Sequence, residues 1–307
     1  MLKPQSLKPG DTIAIASPAG AVSDPSIVEG AAATLRSWGL YVIIAPHSLG
    51  REGYYAGSTE ERRDDFLSLI ADDNIKAILC SYGGYGCLHI ADAVANAIEK
   101  KPKWIIGMSD CSVLHAACLA KGVMSLHAPQ CRHLSENYND EAAQYMRRIL
   151  FGESVEYIID PHPYNIEGTA HGRIVGGNLS VLHALMRTPY DIFRPDTILF
   201  IEDINEPLYR IERMLYSLKL SGVLHNIAAL IVGQFEGTKE AIAFGGSPYD
   251  IIHSLTKDCN IPVCYDFPVG HCKRNFPIVE GADGVLEIER ERVALKINTK
   301  EKSEILR

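Results

Sequence analysis

The stretch Lys103–Leu119, KWIIGMSDCSVLHAACL, changes character twice along its length. Trp104, Ile105 and Ile106 form an aromatic and β-branched run suited to a buried strand, and Gly107 permits a sharp turn. From Ser112 the apolar residues Val113, Leu114, Ala117 and Cys118 recur at helical spacing. The pattern predicts strand, tight turn, helix. Ser109 falls at the turn, where a hydroxyl stands clear of the sheet beside N–H groups that the helix itself leaves unpaired. A serine held there is placed to attack a carbonyl. A serine before a helix also serves as an N-cap, and the hydrolase pattern G-x-S-x-G is only half present, because Cys111 stands where the second glycine would be. On this segment alone both roles stay open.

Working outward toward the N-terminus, Asp11–Ser17, Leu40–Ala45 and Ile75–Cys80 read as strands, with helices over Pro25–Trp38, Glu60–Ala71 and Ile90–Lys100. A short strand over Val123–Leu126 follows the organising helix. Strands alternating with helices imply a parallel sheet covered on both faces, and such sheets bind ligands beyond the carboxyl ends of their strands. Ser109 lies at one such end, and the run Gly83-Gly84-Tyr85-Gly86 at another. Glycines there let backbone N–H groups approach a phosphate or an oxyanion; a tight turn chosen for its φ angles explains them equally well. The G-x-G-x-x-G spacing of a dinucleotide site is absent.

Toward the C-terminus, prolines and glycines loosen the pattern, and a linker is expected at 156–172. Beyond it come a short strand at Arg173–Val175, a turn at Gly176-Gly177-Asn178 and a helix over Leu179–Met186. The strand Thr197–Ile201 ends at Glu202 and Asp203, and a helix from Pro207 to Gly222 carries Ile211, Met214, Leu215 and Leu218 on one face. Further strands are expected at Ala228–Val232, Pro262–Cys264, Val285–Ile288 and Val293–Ile297. The expected organisation is an α/β N-terminal domain over 1–155, the linker, and a smaller, mixed, β-rich domain over 173–307.

The 307 residues are long for one core. With 47% hydrophobic and 22% charged residues the composition is that of a globular protein, and a net charge of -8 argues against a nucleic-acid surface. The pairs Arg62-Arg63 and Arg147-Arg148 fall on expected helices and read as solvated faces. No secretory h-region opens the chain and no apolar run is long enough to span a bilayer, so a cytoplasmic protein without membrane contact is expected. Eight cysteines without a C-x-x-C pair read as reduced thiols. His127, Cys131 and His133 lie close together but match no standard metal spacing; no metal and no cofactor are expected.

A serine nucleophile needs a base and a carboxylate to orient it. Of the 11 histidines, His271 stands out because it follows the apolar segment Ile261–Val269 through Gly270, where a side chain can project from a strand end. Glu202 and Asp203 end a buried strand, and alternation sends them to opposite faces, so only one can share a site with it.

Taken in order, AGSTEERRDDF, IKAILCSYGGYG, IIGMSDCSVL, GGNLSVLHALMRTP, LFIEDINEPLYRIERML and FPVGH with Asn275 resemble the LD-carboxypeptidases, serine peptidases that include muramoyltetrapeptide carboxypeptidase and the enzyme that inactivates microcin C. The resemblance covers nearly the whole chain. It implies a flavodoxin-like N-terminal domain, a Ser-Glu-His triad at Ser109, Glu202 and His271, and an oxyanion hole from the N–H groups of Gly84 and Asp110. Gly83, Tyr85, Asn178 and Asn275 become candidates for substrate binding. The implied substrate is a cytoplasmic murein tetrapeptide losing its terminal D-alanine during cell-wall recycling, and the implied assembly a homodimer. The chain departs from the family pattern at Tyr82 and His89, where arginines are usual, at Ala128 within the H-G-P run, and at Val279, usually proline. Hydrolysis of another amide, such as an acylated nucleotide antibiotic, and a non-catalytic ligand-binding role are the rival readings.

Overall fold

Short apolar runs, several of them rich in β-branched residues and closed by glycine or proline, build the sheets of this chain. The computed structural model describes residues 1–238 and 245–299. They fall into two compact units, the first comprising Met1–Ser154, Phe276–Gly281 and Thr299, the second Val155–Asn275 and Ala282–Asn298.

In the first unit β1 (Thr12–Ala16), β2 (Tyr41–Ile44), β3 (Ile75–Cys80), β4 (Trp104–Gly107) and β5 (Ser125–His127) run parallel in the order β5-β4-β3-β1-β2. This is the flavodoxin-like order. Ile13–Ala16, Ala77–Cys80 and Trp104–Gly107 are buried, as strands covered on both faces must be, whereas the edge strand β2 exposes Tyr41 and Ile43. The covering helices start on local signals. Asp24 accepts the Ser26 N–H at the head of α1 (Pro25–Ser37), and Ser58 and Glu61 form a reciprocal capping box on α2 (Thr59–Ala71). A single 3₁₀ turn, Cys87–His89, precedes α3 (Ala91–Lys100), and another, Ser109–Cys111, precedes α4 (Ser112–Ala120). The expected strand at Val123–Leu126 is displaced, since Val123 bridges Leu2 and the ladder to β4 begins later. The helices α5 (Cys131–Glu136) and α6 (Glu141–Leu150) complete this part of the chain.

The second unit is a mixed sheet. Strands β7 (Gly168–Asn178), β8 (Thr197–Ile204), β9 (Ala229–Glu236) and β10 (Val263–Cys264) are parallel neighbours. On the other side of β7, β12 (Asp283–Ile288), β13 (Val293–Asn298) and β6 (Val155–Ile159) continue antiparallel. The helices α7 (Leu179–Ala184), α8 (Leu208–Leu220), α9 (Val223–Asn226) and α10 (Pro248–Thr256) follow along the chain.

Three expectations differ from what is observed. The 156–172 segment contains β6 and the start of β7, whose partners β13 and β12 lie far along the chain and leave no local trace. The expected turn Gly176-Gly177-Asn178 is instead the end of β7. The chain also returns to the first unit at β11 (Ile278–Glu280), which pairs antiparallel with β5. Among the described residues no helix is long and apolar enough to cross a membrane.

Candidate active site

Each unit carries its own constellation. In the first, β4 ends at Gly107, where an added Cβ would meet the Cys111 sulfur at 2.9 Å and the Cys80 Cβ at 3.0 Å, so the turn must be glycine. Two residues later Ser109 adopts φ 62, a left-handed conformation unfavourable for a side-chain-bearing residue. Its hydroxyl does not cap the helix. Met108 and Cys111 occupy the cap positions, and neither helix start carries a side-chain cap bond. That decides against the N-cap role and leaves a half-buried serine on a strained strand-to-helix turn.

The glycine run packs directly on this turn. A Cβ on Gly83 would lie 2.8 Å from the Ser109 Cβ, 3.0 Å from its Oγ and 3.3 Å from the Asp110 N. Gly84 and Gly86 hold φ 87 and 140. Asp110 fastens the two segments together, its Oδ2 accepting the Cys87 N–H at 2.8 Å. Burial raises its carboxyl to about 6, against the opposing pull of that bond. Gln130 braces the other side, its Nε2 donating to Met108 O at 3.3 Å and reaching Cys111 Sγ at 3.4 Å. Tyr85 is exposed, its ring edge-on to His89 with centroids 5.5 Å apart.

Arg62 corrects the reading of Arg62-Arg63 as a solvated pair. Arg63 pairs with Asp64 on the surface, but Arg62 is 1% exposed and donates from Nη1 to Pro18 O at 2.6 Å and Gly86 O at 3.0 Å. Its Nη2 lies 3.2 Å from His89 Nδ1, and its guanidinium stacks over Tyr55. The available signal was positional, since Arg62 sits four residues before Phe66 on the buried face of α2.

In the second unit the ladder between β8 and β9 shifts register between Ile201 and Asp203, at Glu202. A bulge there re-aims the side chain. Glu202 is fully buried and its Oε2 accepts from His271 Nδ1 at 2.7 Å. Asp203 turns away and accepts from Asn178 Nδ2 at 3.0 Å, Ser180 N at 2.9 Å and Ile204 N at 2.8 Å. Burial, followed by the Glu202 charge, raises its carboxyl to about 7. Burial opposes the charged form of His271, but the Glu202 bond and the Glu202 and Asp203 charges together outweigh it and raise its pKa. With Nδ1–H committed to the carboxylate, Nε2 is left to accept a proton.

The loop carrying His271 is held by two contacts. Gly270, at φ 113, lets the backbone pass where a Cβ would stand 2.6 Å from the Glu202 Cβ, and its N–H donates to Asn275 Oδ1 at 2.9 Å. Asn178 registers beside Glu202 across β7 and β8, and its Oδ1 accepts Val181 N at 3.3 Å to cap α7. Of the expected residues, then, Glu202 and His271 are brought into contact, Gly83 and Asp110 are packed against Ser109, and Asn178 and Asn275 brace the neighbourhood of Glu202 and His271. Among the described residues no group of three or more His, Cys, Asp or Glu is arranged to hold a metal ion.

A model of the LD-carboxypeptidase N-terminal domain matches residues 13–128, and one of the LD-carboxypeptidase C-terminal domain matches residues 171–286. A probable murein peptide carboxypeptidase of Bacillus subtilis is 31% identical over 97% of this chain and 96% of its own length. The microcin C7 self-immunity protein MccF of Escherichia coli is 24% identical over 83% of this chain and 84% of its own. The crystal structure of muramoyltetrapeptide carboxypeptidase from Oxalobacter formigenes is similar with a TM-score of 0.85 at 26% identity, over 95% of this chain and 100% of that one. With both domain models matched and relatives aligned over most of its length, the chain belongs to the LD-carboxypeptidase family.

Proposed function

We propose that this carboxypeptidase acts through Ser109, His271 and Glu202 on the L,D-amide bond of a murein tetrapeptide, releasing the terminal D-alanine in the cytoplasm as part of cell-wall recycling. The observation that carries the assignment is the 2.7 Å contact between His271 Nδ1 and the buried Glu202 carboxylate, which fixes the tautomer a general base needs. Ser109 Oγ attacks the amide carbonyl while His271 Nε2 takes its proton. The N–H groups of Gly84 and Asp110 meet the developing oxyanion, and a single such donor is worth about a hundredfold or more in rate. The protonated His271 then gives its proton to the leaving amine, and water repeats the sequence on the acyl-serine. A homodimer belongs to the same proposal, checked by the mass in solution.

The deciding experiment is mass spectrometry of a murein tetrapeptide incubated with the protein and, separately, with Ser109→Ala. Loss of one alanine with the intact protein alone is expected, and an untouched peptide in both overturns the assignment. The exposed rings of Tyr82 and Tyr85 on either side of the glycine pair favour one rival substrate class, an aminoacyl nucleotide whose base would stack there. The same assay with an aspartyl nucleotide analogue separates the two.

A further inference from the structure

A carboxypeptidase must recognise the free carboxylate of the residue it releases, and Arg62, buried beside the glycine turn, already donates to the Pro18 and Gly86 carbonyls. Two other arginines converge beside the glycine turn. A cavity of about 340 Å³ in the first unit is lined by Arg51, Arg132, Tyr54, Tyr82, Val22 and Ile27, among others. Its volume falls in the range of small-molecule sites. No Asp or Glu lines it.

The cavity adjoins the strained serine through the glycine turn. Tyr82 immediately precedes Gly83, whose absent side chain leaves Ser109 its room, and the Tyr54 hydroxyl lies 2.6 Å from where a Cβ on Gly84 would stand. Gly20 N–H donates to Gly83 O at 3.0 Å, and Ala21 N–H to Tyr54 O at 3.0 Å, so the cavity wall and the glycine turn are joined by backbone hydrogen bonds.

Both guanidiniums keep donors in reserve. Arg51 spends one on Val22 O at 3.2 Å, and Arg132 uses Nη2 toward Ser23 Oγ at 3.2 Å and Nη1 toward Glu136 at 3.2 Å. The Glu136 pair is exposed on both sides and is a weak competitor for a substrate carboxylate. A planar fork of five donors suits bidentate capture of such a group. The apolar faces of Val22 and Ile27 offer a small side chain somewhere to lie.

We propose that the Arg51–Arg132 cavity is the subsite for the free carboxylate of the residue released by hydrolysis. This rests on the carboxypeptidase reading, and binding can be measured apart from turnover. In the Ser109→Ala protein, calorimetry with N-acetyl-L-lysyl-D-alanine, whose only carboxylate is terminal, is compared with its C-terminal amide. The carboxylate form is expected to bind about tenfold more tightly or better, a charge-assisted pair being the stronger kind of hydrogen bond. Arg51→Gln and Arg132→Gln each shrink that preference, the double variant abolishes it, and Arg51→Lys retains part of it. Equal affinity for the two forms, undetectable binding of both, or a preference that survives the double variant overturns the subsite. Should the preference and its loss appear while the intact protein leaves the murein tetrapeptide whole, the subsite stands and the murein substrate falls.

Discussion

Ser109 is held at φ 62, in a region that costs a side-chain-bearing residue roughly 1–2 kcal/mol. That cost can be separated from the chemistry. Alanine at this position keeps the strain, whereas glycine relieves it, partly offset by glycine's greater freedom in the unfolded chain. Ser109→Gly is therefore expected to be more stable than Ser109→Ala by up to about 1 kcal/mol in urea unfolding, with turnover lost in both. Equal midpoints would mean that the turn relaxes once the hydroxyl is gone. The place of Ser109 was legible because period and glycine change together around it; its φ angle was not, since it comes from how Gly83 and Asp110 pack against the turn. Arg62 was misread for a related reason. Charge patterning assumes solvent unless a partner is in view, and its partners are backbone carbonyls at Pro18 and Gly86, remote in sequence and indistinguishable there from any others.

At the scale of elements, the end of β8 sorts two adjacent carboxylates into different tasks. Alternation correctly sent Glu202 and Asp203 to different partners, and the register shift at this point sets where Glu202 is aimed. The Gly176-Gly177-Asn178 run misled for a packing reason. A Cβ on Gly176 would lie 2.1 Å from Phe200 O, so glycine serves close strand approach within a continuous β7 and not a turn. The Glu202–His271 contact has a kinetic consequence. As the proposed base, His271 must be neutral, so kcat/KM should rise with pH through the His271 pKa, with a midpoint above the ordinary 6.5. Glu202→Gln removes the carboxylate that raises this value and leaves the opposing effect of burial. The acid limb should then move to lower pH, and the plateau rate should fall on the order of a hundred- to ten-thousandfold. A limb that stays in place in the variant would assign the titration to another group.

For the molecule as a whole, the chain does not divide at a single linker. It leaves the first unit after Ser154, re-enters it for Phe276–Gly281, and leaves again. Local pattern showed the alternation of the first unit well, because each of its parallel strands is a short apolar run followed by a helix. It could not show β11, whose few residues acquire meaning only beside β5. That late strand makes the first unit dependent on residues far beyond it in sequence. Ile278 and Val279 are fully buried, and Phe276 is 1% exposed and packs edge-on to Tyr145 with ring centroids 5.1 Å apart. Burial of such side chains contributes about 1.5–3 kcal/mol each, so losing the three removes an amount comparable with the net stability of an ordinary domain. Without β11 the pairing edge of β5 is also left open to other chains. A fragment ending at 155 is therefore expected to bind a hydrophobic dye, to lose near-ultraviolet dichroism and to associate, despite containing every parallel strand of its sheet. Joining residues 276–281 to that fragment through a flexible peptide should restore cooperative unfolding. A fragment of 1–155 that melts cooperatively by itself, near the midpoint of the full chain, would show that β11 decorates the sheet without completing it.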